Sequence, residues 1–129
     1  MNDKPSASQL VGAVRDFLER VAQPELRGHS AFLARVAANA LAIVERELAL
    51  GAEQDAAERE RLRALLGSDG ALEEQNRTLC REIRSGRITL DTPGLREHLR
   101  ETTLAKLAVD QPSYSAYRRA LARRGESEA

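Results

Sequence analysis

RVAANALAIVERELALG, residues 35–51, is the most apolar run in the chain, yet Asn39 sits in its middle and Arg35 and Arg46 flank it. At 100° per residue Leu33, Ala37, Leu41, Val44 and Leu48 fall on one helical face, and Phe32, Val36, Ala40 and Ile43 on a second. A helix with two apolar faces is normally surrounded by neighbours, so this stretch predicts a central helix from about Ser30 to Leu50, with Gly51 as its left-handed cap. Ala34, Ala38, Ala42 and Ala49 make a third strip of small side chains, which either seats a closely approaching helix or faces solvent. Arg35, Asn39 and Arg46 lie within roughly 40° of one another on the same wheel, a polar strip on a helix otherwise suited to a core.

Outward from that helix the chain punctuates itself. Ser6 and Gln9 have the spacing of a capping box, and Leu10, Val14, Phe17, Leu18 and Val21 follow on one narrow face, so a first helix is expected to run to Pro24. A charge-rich third helix is expected over 53–66; Leu62, Leu65 and Leu66 are its only strong anchors, which reads as a peripheral element. GSDG at 67–70 is a break. A fourth helix, about 71–85, groups Leu72, Leu79, Cys80 and Ile83, and Gly86 ends it. RITLD, 87–91, is the one strand-like fragment; without a partner it reads as a connector whose Ile88 and Leu90 plug the core. Thr92 as cap and Pro93 at the first position open a fifth helix that reaches Asp110. Residues 113–124 make a short sixth helix, and 124–129 a flexible tail. The expectation is a single all-α domain over 1–129: a compact bundle of five to six helices with an ordered core at about 5–123.

The totals exclude several function classes. With 129 residues the chain is of one-domain size. A single cysteine, Cys80, leaves no disulfide framework and fits a reducing compartment. Twenty basic residues balance twenty acidic ones, so there is no cationic surplus for binding nucleic acid by counterion release. The four aromatic rings, Phe17, Phe32, Tyr114 and Tyr117, are too few and too scattered in sequence to suggest a base-stacking platform. MNDKPSASQL has no apolar signal core, and no run approaches the ~20 apolar residues that cross a bilayer. The reading is a cytoplasmic protein with no membrane and no nucleic-acid partner.

The fifth helix carries a second polar oddity. Leu95, Leu99, Thr102, Lys106 and Val109 share a face, His98 lies at its edge, and Asp110 stands one turn beyond Lys106. An ammonium in an apolar stripe must reach water or find a partner. One explanation of both strips is internal: Arg35 and Arg46 pairing with Glu97, Glu101 or Asp110, and Lys106 snorkelling along its stem. The sharper one sets Arg35, Asn39 and Arg46 across a cleft from His98, Thr102 and Lys106, where their donors would suit a phosphate or carboxylate. Other candidates are weaker. His29 and His98 show no zinc spacing. Cys80 reads as a small buried hydrophobe, and no glycine-rich phosphate loop occurs. Lys106 is the one conceivable nucleophile, with no second catalytic group asking for it. Tyr114, Tyr117 and Arg118 either fold back as a lid or form a docking segment. No residue pattern implies a cofactor.

Three stretches besides the opening helix also look familiar as a set: RVAANALAIVERE (35–47), LCREIRSG (79–86) and LAKLAVDQPSY (104–114), after PSASQLVGAVRDFL (5–18). Together they resemble a small bacterial family known only as a domain of unknown function, over most of residues 5–115. Arg35, Asn39, Glu45, Arg46, Lys106 and Asp110 fall within its recognisable motifs. The resemblance implies company rather than chemistry: members are encoded beside, or fused to, aminoglycoside-phosphotransferase-like kinases, often near acyl-CoA dehydrogenases. It carries over no catalytic residue. The expected function is therefore a helical accessory or interaction module, leaning away from an enzyme, with a kinase-like or acyl-CoA dehydrogenase partner. The alternative is a binder of an anionic metabolite, such as an acyl-CoA or organic phosphate, between the second and fifth helices. A homodimer fits the two-faced second helix equally well.

Overall fold

The computed structural model describes residues 4–128, and among them the chain forms helices and turns with no strand. The order is α1 (Ala7–Phe17), a π-helical turn (Leu18–Ala22), the short α2 (Gln23–Glu25), α3 (Gly28–Leu66), α4 (Leu72–Arg84), α5 (Leu95–Asp110) and α6 (Ser115–Glu128). The all-α class is as the composition predicts. Residues 1–3 and 129, part of the expected domain and tail, lie outside the described residues. The rest of that tail is helical as far as Glu128.

The capping box forms: the Gln9 N–H donates to Ser6 Oγ at 3.2 Å and the Ser6 N–H to Gln9 Oε1 at 2.8 Å. Pro24 does not stop the helix where the sequence predicts. Proline has no N–H and its ring crowds the carbonyl four residues back. The chain accommodates it by widening the preceding turn to π geometry, with the Gln23 N–H reaching Leu18 O. Helical structure then continues to Glu25, and Leu26 turns extended.

The larger correction concerns Gly51. Two helices were expected on either side of it; there is one, α3, 39 residues long. Gly51 is not among the glycines with positive φ, which are Gly28, Gly67, Gly86 and Gly94. One interior glycine costs only about 1 kcal/mol relative to alanine, and the Ala, Glu, Gln and Arg residues that follow it are good helix formers. The hydrogen-bond ladder therefore runs on to Gly67, where φ is +71° and the N–H caps Arg63 O at 2.9 Å.

The described residues divide after Gly51 into two compact units. The first is a hairpin of the α1–α2 segment and the early part of α3, joined through Leu26 and Arg27, and a connector this short makes the two arms antiparallel neighbours. Its only buried residues are Ala34 and Ala38, the latter 2% exposed. The second unit holds the remainder of α3 with α4, α5 and α6. Its core is Leu62, Leu79, Ile88 and Leu95, with Leu65, Leu66 and Leu72 packed around them. Leu62 is 0% exposed, so the segment predicted as peripheral supplies the central core side chain.

The turns of the second unit explain two further differences. Gly86, at φ +77°, reverses the chain after α4, and the Ile88 N–H returns to Glu82 O at 3.2 Å. Ile88 plugs the core as expected, but Leu90 is 58% exposed. Thr92 does not cap α5: its Oγ1 accepts from the Thr89 N–H at 2.9 Å, closing the turn, and left-handed Gly94 is the residue that precedes the helix.

Gly51 and Gly67 can be told apart by substitution. A Cβ on Gly51 meets only the flexible carboxylate of Glu47, at 3.4 Å, so Gly51→Ala should raise stability by about 0.5–1 kcal/mol. Gly67→Ala forces a side chain into the left-handed region and should lower it by about 1–2 kcal/mol. Denaturant unfolding followed by circular dichroism reads both; a loss on Gly51→Ala would restore the cap.

Candidate functional site

In the first unit the buried side chains, Ala34 and Ala38, are small, and an ion pair joins the two arms. Arg15 Nε donates to Glu45, and Arg15 Nη1 to Glu19 at 3.2 Å. The Glu45 hydrogen bond, followed by that of Glu19, raises the Arg15 pKa further above its ordinary value. A Cβ on Gly12 would stand 2.9 Å from Glu45 Oε1, so glycine here leaves room for the Glu45 carboxylate. On the wheel Glu45 lies between Ala34 and Ala38. The alanine strip is thus the seat for a neighbouring helix, one of the two roles the sequence left open.

The large apolar residues consequently point elsewhere. Leu10, Val14, Phe17 and Val21 on the first arm, and Leu33, Val44 and Leu48 on α3, are all exposed, Phe17 by 55%. On α3 this stripe lies roughly 60–120° from Glu45, and on the first arm roughly 100–160° from Arg15. Phe32, Val36 and Ile43 are also exposed, on the flank of α3 away from the seam. The expectation of a helix covered on two sides is not met within the chain.

The predicted anion-binding residues separate by unit. Arg35, Asn39 and Arg46 do share a strip of α3 in the first unit. Arg35 and Asn39 are exposed, with the Arg35 guanidinium 5.8 Å from the centre of the Phe32 ring, while Arg46 is half-buried. His98, Thr102 and Lys106 belong to the second unit. There the contact face of α5 is turned roughly 50° from the one read in sequence. Leu95, His98 and Val109 are buried, whereas Leu99 and Lys106 are exposed. The Lys106 ammonium simply reaches water. Glu101, an expected partner for the arginines of α3, is taken by Arg124 of α6.

The turn of α5 places His98, 2% exposed, inside the second unit. Arg61 of α3 donates through Nη2 to Thr102 Oγ1 at 3.4 Å, and Asn76 of α4 donates to Glu58 Oε1 at 2.8 Å. Burial first, then the Arg61 charge, push the His98 pKa below its ordinary value, against a smaller opposing effect of Glu58. His98 Nδ1, Arg61 Nε and Gln75 Oε1 are buried without a hydrogen-bond partner. Arg61, Glu58, Gln75 and Asn76 were missed in the sequence because they sit in segments whose charge density resembles a solvated face. The adjoining pocket, lined by Arg61, Ala64, Leu65, Pro93, Gly94 and Glu97, has about 140 Å³, below the ~300 Å³ at which ligand pockets begin. A larger hollow of about 660 Å³ beside Cys80 is lined by α4 residues alone, so no second element closes it.

Cys80 is exposed rather than buried, because it lies roughly 100° round the helix from buried Leu79. Tyr114 and Arg118 are exposed and Tyr117 is half-buried at the start of α6. Among the described residues no group of His, Cys, Asp and Glu side chains could hold a metal ion, and no helix is long and apolar enough to cross a membrane.

The fold and its faces define an all-helical protein with a well-filled second unit and an open apolar hairpin. Residues 24–114 match the family model described as a domain of unknown function, DUF6285. The chain belongs to that family. No curated protein and no solved structure matches it.

The buried histidine gives a pH dependence of definite sign. A histidine with a depressed folded pKa binds its proton more readily when unfolded, so its contribution to stability is complete above the ordinary pKa near 6.5 and is lost as pH falls through the folded value. Thermal melts of the wild type should therefore drop between neutral and mildly acidic pH by more than those of His98→Leu. Parallel curves would show that His98 carries no such linkage.

Proposed function

We propose that the protein is a non-catalytic helical interaction module, whose second unit is the folded platform and whose hairpin is the association surface. One observation carries the reading: large apolar side chains of the hairpin are exposed, Leu10, Val14, Phe17 and Val21 on the first arm and Leu33, Val44 and Leu48 on α3 among them, while among the described residues of the unit only Ala34 and Ala38 are buried. Two helices whose buried side chains are alanines bury too little apolar surface to be independently stable. Exposed apolar surface of this kind marks a site of protein association. The polar residues support the same reading, since Arg35, Asn39 and Lys106 are exposed and the interior cluster of the second unit lies beside a pocket too small for a metabolite.

The family resemblance points to the enzymes such a module would serve, an aminoglycoside-phosphotransferase-like kinase or an acyl-CoA dehydrogenase acting on acyl-CoA or related carboxylic acids. Mixing the full chain with an aminoglycoside-phosphotransferase-like kinase, followed by size-exclusion chromatography at micromolar concentration, should give a co-eluting complex. Phe17→Glu, which puts a charge among the exposed apolar side chains of the first arm, should weaken that complex at least tenfold. Separate elution of the wild-type pair counts against this partner, and unchanged affinity of Phe17→Glu counts against those side chains.

A further inference from the structure

We infer that the α1–α2 segment is a releasable strap over α3, which lifts off in one step while α3 and the second unit stay folded. Release needs no partner, so it stands apart from the association reading above.

The contact that holds the strap is thin. Val11, Gly12, Arg15, Leu18 and Ala22 are its half-buried positions in α1 and the π turn, and all lie within roughly 60° of Arg15 on the wheel. Among the described residues none from 7 to 25 is buried. Leu10, Val14, Phe17 and Val21 are exposed. Apolar stabilisation scales with the area removed from water, so Val11 and Leu18 supply most of what the strap gains on α3. The Arg15–Glu45 pair is reached by solvent, its side chains 35% and 24% exposed, and an ion pair in contact with water contributes little.

The hinge is free to move. Residues 24–30 are exposed throughout, and Leu26 is extended. Gly28 has φ +59°, and a Cβ there would meet nothing within 4 Å. A few such residues can absorb the φ/ψ change of opening without disturbing a packed neighbour. α3 does not depend on the strap, because its helix runs on to Leu66 and its Leu62 is fixed in the core of the second unit. The stretch matched to the family also begins at residue 24, near the end of the strap.

Off α3 the strap unwinds. Val11, Gly12, Val14, Val21 and Pro24 are poor helix formers. The Arg15–Glu19 and Asp16–Arg20 pairs add only small local support, and short helices are marginal alone in water. Release and unwinding are therefore one event, at the low end of the protein's opening free energies. It uncovers Ala34, Ala38 and Glu45 of α3 together.

The experiment is hydrogen exchange on the full wild-type chain, read by mass spectrometry. After correction for intrinsic rates, amides of residues 10–22 should exchange at least about 100-fold faster than those of 60–65 and 98–109, with one common protection factor. A smaller ratio overturns the release, and so does protection that falls steadily from Ala22 toward Leu10, which is fraying from one end. Variants test the contact. Arg15→Ala should speed exchange of the strap about 2–5-fold and leave 60–65 and 98–109 unchanged. Leu18→Ala should speed the strap severalfold, whereas Phe17→Ala, altering an exposed side chain, should not. An equal effect of Arg15→Ala on both units, or a larger effect of Phe17→Ala than of Leu18→Ala, overturns the strap. Kinase mixing reads association separately, so a strap that stays closed leaves the interaction module standing.

Discussion

Everything in this protein is built along the unbroken backbone ladder of α3. Its 39 residues supply one arm of the hairpin and the central side chain of the second unit's core. A helix can do this only if no residue inside it prefers to leave the αR region. Gly51 is the one candidate for a break, and its modest cost is outweighed by helix formers on both sides. The positive-φ glycine that does end the helix, Gly67, stands where the Ser68–Gly70 turn leaves no further helical partners.

The hairpin follows from small side chains at its buried positions. Ala34 and Ala38 allow the arms to approach, Gly12 leaves room for the Glu45 carboxylate, and Arg15 with Glu45 joins the two arms. Close approach along a small-residue line rotates the bulky side chains out of the contact. Phe17, Val14 and Leu33 are then exposed not because the hairpin lacks apolar residues but because two helices have only one mutual seam. The apolar remainder is the physical basis for reading this unit as an association surface.

In the second unit a comparable rotation decides the chemistry. Turning α5 by roughly 50° brings His98 into the interior and sends Lys106 to water. The interior then holds the His98 imidazole, its pKa lowered by burial, beside Thr102 and beside Arg61 and Glu58, two groups that the sequence reading assigned to no site. The Gln75 Nε2 donates to Ser68 O at 2.7 Å, fastening α4 to the turn that precedes it. These polar contacts tie α3, α4 and α5 together around the Leu62 core.

The sequence by itself determined the helical class, the Ser6–Gln9 cap, the breaks at Gly67 and Gly86, the plug at Ile88 and the membership motifs around residues 35–47. Each is a local property, set by propensity, side-chain capping or left-handed glycine within a few residues. Tertiary structure decided which faces are covered. The periodicity of residues 30–50 marks two apolar faces but cannot say whether a neighbour exists to bury them, and the alanine strip took the neighbour instead. Leu62, one leucine among charges, became the most buried anchor because α4, the Ile88 turn and α5 converge on it. Burial depends on what lies opposite a side chain, and that information is spread over segments far apart in the chain.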